Sequence, residues 1–257
     1  MELGWYEPSL DVQDIERSCE FYGKLGFELV DRSIEGQTAT VQRGNCRIGL
    51  YKGRAPETTL IFWQGDVEAI AQDLEGKGLA FERRPMHDDK GVGALLRDPD
   101  GLAISFVNIR GVTRKGPASK GDRALGWFLT ALAVADLERS AAFYQKLGFQ
   151  RRAVSPPGVA TLNNGECAIS LYQGIIEPDR FQLAFWQGDV EAVAREWAAK
   201  GLSFFRGPDR DDQGVGAMLK DPDGHTIHLI NMNHYARVGQ NPPSAVKDSP
   251  QQATRMQ

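Results

Sequence analysis

Three cysteines, Cys19, Cys46 and Cys167, supply the chain's thiols. A thiol does chemistry as a thiolate nucleophile, as half of a disulfide or as a metal ligand. The spacing here suits none of these. No two form a C-x-x-C, three do not pair into a framework, and none has a sequence neighbour that would lower its pKa. Cys46 and Cys167 lie inside the apolar runs CRIGLY and CAISLY, so reduced, packed thiols are expected. The acidic loops offer a second chemistry. Asp88 and Asp89 follow His87, and Asp209, Asp211 and Asp212 occupy the matching loop further on. Carboxylates at that density can hold a cation, but exposed hairpin tips also carry charge for solubility, and that plainer role is the expectation. His225 stands on a turn, D-P-D-G-H, where it should be solvated.

The elements that would position such groups are written more plainly. The stretch DIERSCEFYGKLGFE, Asp14 to Glu28, returns as DLERSAAFYQKLGFQ, Asp136 to Gln150. FWQGDVEA at 62–69 returns at 185–192, GVGA at 91–94 returns at 214–217, and DPDG at 98–101 returns at 221–224. The chain is a tandem duplication. Within one copy, residues 3–12 alternate as a strand does. Asp14 is a good N-cap, Ile15, Ser18, Cys19, Tyr22 and Leu25 recur at helical spacing, and Gly26 is placed to stop the helix. Phe27–Val30, Ala39–Gln42 and Cys46–Tyr51 read as strands. Thr59–Trp63 opens a second unit. Its helix runs from Asp66 to about Lys77, ended by Gly78, and strands follow over Leu79–Arg83, Gly93–Arg97 and Leu102–Asn108. Each copy is thus two strand–helix–three-strand modules, an α+β pattern.

A length of 257 residues suits two domains, expected over 1–110 and 125–234. Residues 111–124, rich in Gly, Lys, Arg and Ser, read as a linker, and 235–257 as a disordered tail. The formal net charge of −4 provides no basic stripe for nucleic acid or an anionic membrane. No apolar run reaches the roughly 18–20 residues of a membrane span. The start, MELGWYEPSL, lacks the cationic and apolar blocks of a secretory signal, so a cytoplasmic protein is expected.

The order of strand one, D-[IL]-E-R-S-x-x-F-Y-x-K-L-G-F and a closing D-P-D-G-x-x-I resembles the vicinal oxygen chelate superfamily, which includes glyoxalase I, the extradiol dioxygenases and the bleomycin-resistance proteins. The resemblance covers both copies. It implies four βαβββ modules in two domains, with curved mixed sheets cupping a ligand and helices outside. It also implies a dimer-like arrangement within one chain, hence a monomer or weak dimer.

The family's ligand positions fall on Glu7, Gly49, Thr59 and Ser105 in the first copy and on Leu129, Ser170, Gln182 and His228 in the second. If each copy builds its own cup, neither supplies the two imidazoles and a carboxylate of an iron dioxygenase, which argues against that activity. If modules 1 and 4 share a cup, Glu7, Gln182 and His228 meet as possible ligands for Zn, Ni, Co or Mn, with Glu7 and His228 as the catalytic candidates. Gly49 replaces the glyoxalase-like carboxylate, so proton transfer next to a carbonyl lacks its usual base. Strand alternation then places Trp5, Tyr51, Trp63, Trp127, Tyr172 and Trp186 in the cups. They either line ligand clefts or plug the sheets as core. Three readings follow. One is a metal-free binding protein that sequesters a partly aromatic small molecule. Another is a glyoxalase-like lyase or isomerase with one active and one degenerate cup. The third is a scaffold or regulatory protein with no small ligand.

Overall fold

The computed structural model describes residues 2–33, 35–53, 58–113, 124–153, 155, 157–165, 167–174, 176 and 181–233. Most of the expected linker and all of the expected tail lie outside them.

The first half runs β1 (Gly4–Asp11), α1 (Ile15–Lys24), β2 (Glu28–Arg32), β3 (Thr38–Arg43), β4 (Cys46–Tyr51), β5 (Thr59–Gln64), α2 (Val67–Gly76), β6 (Phe81–His87), β7 (Gly91–Arg97) and β8 (Ala103–Ile109). The second half repeats it. Its elements are β9 (Gly126–Ala133), α3 (Leu137–Lys146), β10 (Gln150–Arg151), β11 (Val159–Asn164), β12 (Cys167–Tyr172), β13 (Phe181–Gln187), α4 (Val190–Ala199), β14 (Phe204–Arg210), β15 (Gly214–Lys220) and β16 (Thr226–Met232).

The helix signals work as their chemistry requires. Asp14, Asp66, Asp136 and Asp189 each accept a hydrogen bond from the backbone N–H three residues on, at 3.0–3.1 Å, satisfying one of the donors a helix start leaves open. At the far end of α1, Gly26 adopts φ +84°. The N–H of Phe27 bonds to Tyr22 O and that of Gly26 to Gly23 O, both at 2.9 Å. This paired closure needs the left-handed glycine. It also explains why β2 begins at Glu28 and not Phe27, and β6 at Phe81 and not Leu79. Phe27 and Leu79 are spent closing the helices, Leu79 N–H on Leu74 O at 3.0 Å.

Each half forms one eight-stranded mixed sheet, ordered β2-β3-β4-β1-β5-β8-β7-β6 and β10-β11-β12-β9-β13-β16-β15-β14. β1 pairs antiparallel with β5, and β9 with β13, so the two modules of the same half share a sheet. The other sheet faces and the helices bury one apolar cluster that draws on both halves. Phe27 meets Phe185 and Phe62 meets Phe149 across it, with ring centroids 6.3 and 6.4 Å apart. Tyr6 and Thr130 share a buried hydrogen bond there.

The repeated D-P-D-G turns fasten the halves reciprocally. Tyr22 donates to Asp221 at 3.0 Å, and Tyr144 donates to Asp98 at 2.9 Å. Ser18 donates to Asp223 and Ser140 to Asp100. Each turn therefore docks on the first helix of the opposite half. Burial lifts the Asp98 carboxyl above its ordinary range, while the N–H groups of Leu102 and Asp100 and the Tyr144 hydroxyl oppose the rise.

Candidate functional site

The faces turned away from that core form the two cups. On β1 the cup-facing side chains are Trp5, Glu7 and Ser9, because Tyr6 and Leu10 enter the core. Ser9 pairs in register with Gly49 of β4 and Thr59 of β5.

In the first cup the central group is an ion pair. Glu7 is 3% exposed and accepts from Arg47 Nε at 2.8 Å; the Arg47 side chain is 7% exposed. Arg47 also donates to Gln42 Oε1 at 3.3 Å. The Tyr51 hydroxyl bonds to Glu7 as well. Burial pushes the Glu7 carboxyl above its ordinary range, with the Arg47 charge opposing. A Cβ on Gly49 would sit 2.6 Å from Glu7 Oε1 and 2.6 Å from Tyr51 Cε2. Glycine stands here because those two side chains occupy the space. Trp5 and Trp63, register partners, stack at 6.3 Å with an interplanar angle of 16°.

The second cup holds no counterpart of that pair. Leu129 replaces Glu7 and Ala168 replaces Arg47, and both join an apolar cluster with Ala131, Val159, Tyr172, Ala184, Trp186 and Ile230. Beside them opens a cavity of about 540 Å³ lined by Tyr172, Trp186, Gln182, His228, Phe205 and Arg206, among others. Gln182 is 1% exposed, and its Oε1 has no hydrogen-bond partner. The Trp186 indole N–H and the Tyr172 hydroxyl are likewise unsatisfied. The Tyr172 hydroxyl lies near Ser170 and Trp186 but in no bond of normal geometry, and burial raises its pKa. His228 is half-buried; desolvation, aided by the Arg206 charge, holds its imidazole down to about 3, so the ring is neutral across the physiological range. Thr161 and Ser170 satisfy each other at 2.8 Å.

The structure does not bring Glu7, Gln182 and His228 together. Modules 1 and 4 would have to share a cup, but β1 pairs with β5 and β9 with β13. Glu7 thus stands on the first sheet, and Gln182 and His228 on the second. The family pattern implies a divalent metal at these positions, so the donor set of each sheet is the test. The first has a glycine, two hydroxyls and a carboxylate already held by Arg47. The second has one amide, one imidazole, a serine and a leucine. Neither fits a divalent cation. Among the described residues, no group of three or more His, Cys, Asp or Glu is gathered.

Of the six aromatic candidates, Tyr172 and Trp186 line the cavity. Trp5 and Trp63 stack on each other, and Tyr51 serves Glu7. Trp127 is half-buried opposite Trp186. The thiols of Cys46 and Cys167 are fully buried, with pKa values raised by that burial. His225 is only partly solvated, its side chain 16% exposed, and bonds to Asp221 at 2.9 Å through Nδ1. Sequence reasoning missed Arg47, Gln42 and Arg206. Arg47 was reachable, since it alternates with Gly49 and Tyr51 on one strand. Arg206 sits on a strand with register shifts against β15, which defeats simple alternation.

A family model described as the glyoxalase/bleomycin resistance protein/dioxygenase superfamily matches residues 4–106 and 125–229. No curated protein matches the chain in sequence. Among solved structures, the fold is similar to a Mn(II)-bound glyoxalase from Novosphingobium aromaticivorans, at 19% identity and TM-score 0.61, over 88% of this chain and 80% of that one. It is also similar to an extradiol ring-cleaving dioxygenase from B. fuscum, at 19% identity and TM-score 0.62, over 92% and 73% of the two chains. A mutant 4-hydroxymandelate synthase from Streptomyces coelicolor aligns at 15% identity and TM-score 0.59, over 91% and 93%. At these identities the likeness is one of fold.

Proposed function

The chain belongs to the glyoxalase/bleomycin resistance protein/dioxygenase superfamily, and on that premise we propose that it is a small-molecule-binding protein that holds a partly aromatic compound in its second cup without a metal ion. The observation that carries this reading is the cavity of about 540 Å³ with the unpaired Gln182 Oε1 in its wall. Its size is that of a small-ligand site. A buried carbonyl oxygen without a partner costs about 1–3 kcal/mol, and a ligand O–H or N–H that the Gln182 amide turns to meet recovers that cost. The Trp186 and Tyr172 rings supply flat apolar walls, and planar compounds stack on such walls. A neutral His228 adds one N–H donor and one lone pair.

Titration with monocyclic and bicyclic phenols, followed by tryptophan fluorescence, tests the reading. Saturable quenching that weakens in Trp186→Leu and Gln182→Leu supports it. An unchanged signal across the panel refutes it. Stoichiometric Zn, Ni, Co or Mn in protein purified without affinity metal, lost in His228→Ala, would replace it with the lyase or isomerase reading.

A further inference from the structure

One rung of register partners crosses four strands of the second sheet and carries two polar residues. Arg206 pairs with Met218, Met218 with His228, and His228 with Ala184. Strands lie about 4.8 Å apart, so two steps separate Arg206 from His228 by about 10 Å at Cα. An arginine side chain spans much of that. Both residues line the cavity.

Arg206 is the lining cation most weakly held. Its ion pair with Asp209 spans 3.9 Å between side chains that are 67% and 69% exposed, beyond hydrogen-bond length and of little energetic value at the surface. Lys220, the other cation in the wall, donates to Gly224 O at 2.9 Å and Thr226 Oγ1 at 3.2 Å, and stands 5.7 Å from the Phe205 ring centroid. Asp211 accepts from the backbone of Gln213 and Gly214 and so is tied to its own turn. A guanidinium and a neutral imidazole on the wall of one aromatic-walled cavity can both donate to an oxyanion.

We infer that the compound held in the second cup is an aromatic anion, its acid group between Arg206 and His228 and its rings against Trp186 and Tyr172. This rests on the second cup being a ligand site. The charge of such an acid group also acts on His228. An anion beside the ring offsets the Arg206 charge and raises the imidazole pKa, whereas an uncharged ligand leaves it low or lowers it further by expelling water.

A matched pair of fluorescent probes separates the alternatives, with the full chain at low ionic strength. Anilinonaphthalene sulfonate carries an anion, and phenylnaphthylamine is its uncharged parent. The sulfonate should bind about 10-fold or more tightly than the parent, since charge-assisted hydrogen bonds contribute at that level. In Arg206→Gln the two affinities should converge to within about 2-fold, while Lys220→Gln keeps the preference. Proton NMR should show the His228 imidazole titrating at higher pH with the sulfonate than with the parent. Equal binding of both probes by the native chain, or a preference that survives Arg206→Gln, overturns the anion inference and leaves the cup a ligand site. Binding of neither probe overturns both.

Discussion

Where the first cup carries Glu7 and Arg47, the second carries Leu129 and Ala168. The two sheets have the same strand order and nearly the same register, and even their unusual backbone is shared. Gln64 and Gln187, at the ends of β5 and β13, adopt φ of 62° and 61°. Each side chain repays that conformation by bridging the end of a neighbouring strand, Gln64 to Ile109 and Gln187 to Met232. The frame is therefore kept to the level of single dihedrals while the cup contents differ in kind. One cup has a buried charge network filling its centre, and the other an apolar floor beside an open cavity. Replacing both members of a buried ion pair by apolar groups is often neutral or stabilising, whereas removing one is costly. The pairwise change between the copies follows that rule.

The largest effect that would test the comparison is Arg47→Ala. It leaves Glu7 buried without its partner, and urea unfolding should show a loss of about 3–5 kcal/mol. The double variant Glu7→Leu with Arg47→Ala, which copies the second cup into the first, should regain most of that. A double variant as unstable as the single would mean that the first cup depends on the charges themselves. Next in size is Gly49→Ala, expected to lose about 1–3 kcal/mol because its Cβ meets Glu7 and Tyr51. At the matching position of the second cup, Ser170→Ala should lose about 1 kcal/mol, the value of its bond to Thr161. For binding, Gln182→Leu should weaken a phenolic ligand about 10-fold, and Thr59→Leu in the first cup should leave its affinity unchanged. Equal loss from both would put the ligand in both cups.

The smallest effect is in pH. His228 has a folded-state pKa depressed to about 3 from an ordinary 6.5. The unfolded chain therefore takes up a proton near pH 6.5 that the folded chain refuses. The stability His228 confers is complete above that pH and declines as pH falls towards 3. Between pH 8 and 5.5, His228→Gln should remove a decline of at most about 1 kcal/mol, allowing for the partial exposure of the ring. His225, whose pKa is raised by its bond to Asp221 even against desolvation, should work in the opposite sense. Its contribution is present below the unfolded pKa and lost as pH rises through the folded value, and His225→Gln should remove that loss.

Helix caps, glycine stops and strand alternation are local codes, and they made the four modules and all four helices readable from residues alone. Which modules share a sheet is not a local property. Both pairings satisfy the same alternation, so the joint site of Glu7, Gln182 and His228 rested on a choice that neighbouring residues do not encode. The role of Gly49 was hidden in a different way. It reads as a missing carboxylate until the side chains of Glu7 and Tyr51 are seen to fill its place. Arg206 was hidden by the register shifts in β14. The partial burial of His225 was hidden by a turn that looks solvated in isolation but docks on the other half.

That docking has a consequence for the chain as an object. Tyr22 and Asp98 belong to the first half, Asp221 and Tyr144 to the second, and each contact is made twice about an approximate two-fold. A half expressed alone would still carry one tyrosine hook and one aspartate eye. Two such halves can grip each other as the native pair does, so severing the connection should yield fragments that reassemble. The reciprocal tyrosine–aspartate contacts, not the cups, are then what each half would carry with it into such a complex.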